Sequence, residues 1–189
     1  MIEMSGQYNW WIVLLSLIIA VFASYSALDL AGRVAYSKGI RKWIWVVGGA
    51  GTMGIGIWSM HFIGMLAFSM SMPMTYNIPL VFLSIGAAFF GSLIALVAVG
   101  GKQLSIKRLI VGTIFMSGAI IAMHYIGMEA MEMVEITYNP WLLSLSALIA
   151  IVASFGALKL SFTLSRPKKI RHIILLKLGS ASVMGMAIA

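Results

Sequence analysis

The sequence predicts an all-α membrane protein, a bundle of about six transmembrane helices built from repeated two-helix units. Three observations predict it. Hydrophobic residues make up 61% of the 189-residue chain and charged residues only 10%, whereas about a quarter of a soluble domain is charged. Apolar stretches of roughly 20 residues, the length that crosses a bilayer as a helix, recur along the whole chain. A block centred on Met-His occurs twice, with His61 and His124 separated by 63 residues. The chain reads as a single membrane domain, 1–189.

Taken in order, the spans are Trp10–Leu30, Trp43–Phe68, Ile78–Val99, Leu109–Ala130 and Trp141–Phe162. A sixth runs from Ile173 to the last residue, Ala189; its seventeen residues rise only about 26 Å at 1.5 Å each, which predicts a chain truncated before a third motif. Basic residues fall in alternate connections: Arg33, Lys38, Arg41 and Lys42; then Lys102, Lys107 and Arg108; then Lys159, Arg166, Lys168, Lys169, Arg171 and Lys177, which together are all 13 in the chain. The positive-inside rule places these connections in the cytoplasm and the N-terminus outside. The formal +8 charge is thus topogenic and predicts a lipid-bilayer partner rather than nucleic acid. Trp10, Trp11 and Trp141 enter from the outer face and Trp43 and Trp45 from the inner face, as interfacial anchors do. No cleavable signal peptide is expected, because the first apolar stretch lacks a basic leader. The reading is a multi-pass protein of the cell (plasma or inner) membrane.

The even spans repeat one another: Met53, Met60, His61, Ile63, Gly64, Met65 and Ala67 match Met116, Met123, His124, Ile126, Gly127, Met128 and Ala130, with Phe62 opposite Tyr125. The odd spans repeat too, Ala20, Ala23, Ser24, Ala27, Leu28 and Leu30 recurring as Ala150, Ala153, Ser154, Ala157, Leu158 and Leu160. Two antiparallel spans reverse direction twice, so successive hairpins share one orientation, unlike inverted transporter repeats. The last residues, Met184-Gly185-Met186, align with Met53-Gly54-Ile55 and predict a third Met-His pair just past residue 189.

Residues four apart share a helix face, so His61 with Met65, and His124 with Met128, each present an imidazole and a thioether together. From Trp43 to His61 the chain climbs about 27 Å, and from Leu109 to His124 about 22 Å, which puts both histidines in the outer third of the bilayer. All 15 methionines lie in the N-terminal tail, the even spans or the outer connections. A gap-filling residue has no reason to avoid the odd spans. With no cysteine in the chain, the available donors are thioether and imidazole, a set suited to Cu(I), tolerable to Cu(II) and of little use to Mg²⁺ or Ca²⁺. The expected metal ligands are Met60, His61, Met65, Met123, His124 and Met128. Ser24 and Ser154 are expected to pack helices together, Asp29 to pair with Arg33 one turn on, and Glu129, Glu132 and Glu135 to form a solvated outer loop. No nucleophile or acid–base pair accompanies the histidines, so the chain is not expected to be an enzyme.

Met60-His61-Phe62-Ile63 and Met123-His124-Tyr125-Ile126, in alternate helices, with Ala27-Leu28-Asp29-Leu30-Ala31 closing the first span, resemble the MHYT family, a bacterial integral-membrane sensory domain. The resemblance covers essentially the whole chain. It implies copper held by Met, His and Tyr near the outer face, sensing of oxygen, carbon monoxide or nitric oxide, and a cytoplasmic signalling output domain that acts on cyclic di-GMP in many members and lies outside this chain. Tyr125 joins the expected site on this ground. Phe62 stands where the motif has Tyr, and Ile63 and Ile126 where it has Thr. Two other readings compete: a copper carrier, opposed by the lack of Met over 43–52 and 109–115, and an electron-transfer protein with bis-His haem ligation by His61 and His124.

Overall fold

A computed structural model describes residues 7–69, 75–101, 105–132 and 139–164. It contains five long helices: α1 (Trp10–Tyr36), α2 (Gly39–Leu66), α3 (Ile78–Val99), α4 (Ile106–Glu129) and α5 (Pro140–Leu164). Each is long and apolar enough to cross a membrane, and the protein is a multi-pass membrane bundle. The expected sixth span, 173–189, lies outside the described residues.

The helix bounds refine the expected spans. α1 continues two turns past Leu30 because Asp29 and Arg33 pair across one turn at 2.8 Å, an i,i+4 pair that favours helix over loop. The turn to α2 then needs only Ser37 and Lys38, with Gly39 taking φ +58°, a backbone state that glycine adopts without strain. α4 likewise begins three residues before Leu109, and α5 begins at Pro140, a residue suited to a first helical turn.

Helices adjacent in sequence pack against each other, and α5 returns to touch α1. The core runs between them through Ala27, Ala50, Ile57, Ala88, Ala95, Leu96, Met116 and Met123. Small residues let the backbones approach, as membrane helices require in the absence of a hydrophobic drive between them. At Gly54 a Cβ atom would stand 2.8 Å from the Phe89 Cα, so α2 and α3 touch main chain to main chain there. Ser24 and Ser154, buried at repeat-equivalent positions, occupy the helix contacts expected of them. Large apolar side chains such as Phe22, Trp43, Phe82, Ile114 and Val152 face outward, as a lipid-facing surface does.

Antiparallel packing sorts the ends. Arg33, Lys38, Arg41, Lys42, Lys107, Arg108 and Lys159 gather at one, the basic end. At the other, two backbone clasps close the hairpins. β1 (Gln7–Tyr8) pairs antiparallel with β2 (Phe68–Ser69), and the Asn9 N–H donates to the Ala67 carbonyl at 2.8 Å. Correspondingly, Tyr76 bridges Met131, the Asn77 N–H donates to the Ala130 carbonyl at 2.7 Å, and the Glu132 N–H donates to the Thr75 carbonyl at 3.0 Å. Ala67 and Ala130 are the repeat-equivalent last residues of the two even blocks, so the clasps are copies.

Candidate metal centre

Because His61 and His124 each sit five residues before the end of their helix, the 63-residue repeat places them at equal depth, about 8 Å below the clasped end. α2 and α4 are separated in sequence by α3, and the described helices bring them together at this level. The two Nδ1 atoms lie 3.5 Å apart, the ring centroids 4.7 Å apart, and the ring planes are inclined by 59°. Gly127 permits the approach: a Cβ there would meet His61 Nε2 at 3.3 Å and Phe62 Cε2 at 3.2 Å. The glycine that follows each Met-His by three residues is therefore a clearance residue between α2 and α4 in the second copy.

His61 Nε2 is buried and has no hydrogen-bond partner. A buried imidazole nitrogen without a partner carries a desolvation cost, here on the ring nitrogen that faces Gly127. The other nitrogen, Nδ1, faces His124 at a separation that fits a shared metal ion. Two nitrogens bound to one ion at about 2.0–2.1 Å each stand roughly 3.3 Å apart at a tetrahedral angle, close to the spacing found here. At 3.5 Å a direct N–H···N bond between neutral rings would be at its geometric limit.

Of the other expected ligands, Met60 and Met123 are buried, 6% and 2% exposed, and turn into the helix-packing core. Met65 and Met128 lie one turn beyond the histidines and are half-buried. The structure thus brings together His61 and His124, with Met65 and Met128 one turn beyond them and Met60 and Met123 turned into the core. Among the described residues no group of three or more His, Asp or Glu converges, so any ion held here depends on the imidazole pair with thioether help.

The aromatic neighbours reveal a feature the sequence reading missed. Tyr125 packs edge-on against His124 and its hydroxyl lies 3.0 Å from Ser146 Oγ on α5. The Ser146 proton goes to the Leu143 carbonyl at 2.9 Å, so Tyr125 is the donor. In the first copy Phe62 has no hydroxyl, and Trp58 one turn earlier supplies the bond instead, its Nε1 donating to Ser84 Oγ on α3 at 3.1 Å. Ser84 in turn donates to Val81, and Ser16 on α1 donates to Val13. The three serines stand at one register, seven residues after Asn9, Asn77 and Asn139. Those asparagines cap α1, α3 and α5 by accepting the N–H groups of Trp11, Leu80 and Trp141, and each is preceded by tyrosine, giving Tyr-Asn-x₆-Ser three times. The signal lies in the helix starts, whereas the odd-span repeat of Ala20–Leu30 with Ala150–Leu160 aligns the helix ends. One of these tyrosines, Tyr76, packs its ring 6.3 Å from that of Phe62 and buries a hydroxyl with no hydrogen-bond partner.

Comparison with known proteins converges on the same repeat. A family model described as "Bacterial signalling protein N terminal repeat", MHYT, matches residues 1–40, 54–112 and 118–176. The chain is 48% identical over 184 residues to the bifunctional diguanylate cyclase/cyclic di-GMP phosphodiesterase MucR of Pseudomonas aeruginosa, covering 97% of this chain and 27% of that protein. It is 42% identical over 187 residues to the signaling protein YkoW of Bacillus subtilis, covering 99% and 23%. It is 37% identical over 153 residues to the cyclic di-GMP phosphodiesterase NbdA of Pseudomonas aeruginosa, covering 80% and 19%. The chain therefore spans about a quarter or less of the length of these relatives. No solved structure matches.

Proposed function

The chain belongs to the MHYT family of membrane signalling proteins, and from that membership we propose that it is a sensory input domain whose His61 and His124 jointly hold a copper ion near the outer face of the bacterial cell membrane. The observation that carries this reading is the 3.5 Å approach of the repeat-equivalent imidazole Nδ1 atoms. The half-buried thioethers of Met65 and Met128, one turn beyond the histidines, make the set soft enough for Cu(I) while the imidazoles accept Cu(II). Tyr125, fixed by Ser146, packs against His124 and orients that ring.

When bound, the copper supplies a centre for a diatomic gas or for a change of redox state. The protein's part is to hold the two imidazoles on different hairpins, so that the metal state bears on the spacing between them. A signal requires the two metal states to favour different helix arrangements; equal affinity for both arrangements would shift nothing. The basic connections then face the cytoplasm, where an output of the kind named in the relatives would receive the change. A haem would need its macrocycle between imidazoles pointing at each other from opposite faces, but here the ring bodies lie beside one another, with centroids 4.7 Å apart and Phe62 and Gly127 packed against them, so the packing favours a single ion.

Elemental analysis of protein extracted from membranes and purified without added metal tests the reading. Copper is expected in the wild type, with the copper-to-protein ratio reduced in both His61→Ala and His124→Ala. An unchanged copper-to-protein ratio in the two variants overturns it.

A further inference from the structure

A chamber of about 30 Å³ lies between α1, α2, α4 and α5, enough for one small occupant. Its walls include Met53 and Met60 from α2, Met116 from α4, Ser24 from α1, and Ser154 and Ser161 from α5. Met53 and Met116 are repeat equivalents, as are Ser24 and Ser154, so the chamber lies between the two copies. Met53 and Met116 each precede the histidine of their helix by eight residues, about 12 Å toward the basic end.

Three features set this chamber apart from ordinary packing. Methionine is absent from α1, α3 and α5, yet three methionines meet in one small space. All three are nearly inaccessible from outside, 9%, 6% and 4% exposed. Ser154, 2% exposed, buries its Oγ with no hydrogen-bond partner, and a buried polar atom without a partner asks for one.

We propose that Met53, Met60 and Met116 form a second site, an all-thioether site for Cu(I), in the chamber beneath the histidine pair. Thioethers are soft, neutral donors that select a soft monovalent ion over Mg²⁺, Ca²⁺ or Zn²⁺. A single positive charge is the least costly ionic occupant of a membrane interior. Methionine's rotatable side chain lets sulfur close on an ion without moving the helices. The ion enters and stays as Cu(I), so no electron transfer is involved. The proposal rests on the copper reading of the histidine pair for its metal, but on different residues.

Its test uses the purified full chain in lipid nanodiscs, titrated anaerobically with Cu(I) against a chromophoric chelator, and with Ag(I) as a redox-inert probe. Met53→Leu/Met116→Leu keeps the volume of the core and is expected to lose one of two metal equivalents, with X-ray absorption reporting loss of the sulfur-only shell. His61→Ala/His124→Ala is expected to retain that equivalent with sulfur neighbours alone. Unchanged stoichiometry and sulfur shell in the leucine variant overturn the inference. If instead the histidine variant binds as the wild type does and the leucine variant loses an equivalent, the chamber site stands and the histidine reading falls. The single variants Met53→Leu and Met116→Leu guard against misfolding: each is expected to weaken Cu(I) binding tenfold or more with an unaltered gel-filtration profile.

Discussion

The two copies of the Met-His block tie themselves to the next helix by different means. In the α4–α5 copy the residue after histidine, Tyr125, bonds Ser146 directly. In the α2–α3 copy that residue is Phe62, and the bond to the equivalent serine, Ser84, comes from Trp58, whose ring lies 4.6 Å from that of Phe62. What persists through the repeat is therefore the bond to the serine and not the aromatic residue that makes it. The loss of the motif tyrosine at position 62 reads as a change of donor rather than a lost contact.

That comparison can be broken in several ways. The largest effect is expected where the copies meet: Gly127→Val inserts branched carbon against His61 and Phe62 and should destabilise the bundle by about 3 kcal/mol, with loss of retained copper; thermal unfolding followed by helical circular dichroism, together with metal content, measures both. Next, Trp58→Phe removes the donor to fully buried Ser84 and leaves space behind, which should cost about 2 kcal/mol. Adding Phe62→Tyr to that variant should recover part of the loss, since the equivalent tyrosine reaches the equivalent serine in the other copy; no recovery in the same unfolding assay would show that the two copies are not interchangeable. Tyr125→Phe, whose partner lies nearer the surface, should cost about 1 kcal/mol. Smallest of all, Ser16→Ala removes a hydroxyl that bonds its own helix at the Val13 carbonyl and should change stability by less than about 0.5 kcal/mol.

Much of this architecture is legible in the sequence because the bilayer imposes simple rules on it. The five described spans follow from apolar length, and the Asp29–Arg33 pair from its i,i+4 spacing. The alternation of basic connections follows from topology. The equal depth of His61 and His124 follows from the repeat, but their contact does not: periodicity places each on a face of its own helix and says nothing of which non-adjacent helices turn those faces together. Nor does it say that Met60 and Met123, one residue away, turn into the core while the histidines meet. The serine register is hidden chiefly because the α1–α2 hairpin is longer than the α3–α4 hairpin, so the cap asparagines stand 68 and then 62 residues apart and a single offset cannot align all three.

The backbone clasps have a mechanical consequence. Each hairpin is joined at the basic end by its own connection and at the other end by strand-like pairing, Asn9 to Ala67 in one and Asn77 to Ala130 in the other. A pair of rods fastened at both ends is stiff against splaying. The two histidines belong to different pairs, so any change in their spacing is taken up as tilt of one braced pair against the other, about the point where Gly54 rests on the Phe89 backbone. In such a lever a displacement imposed at the histidines would reach the far side of the bundle with little lost to bending along the way.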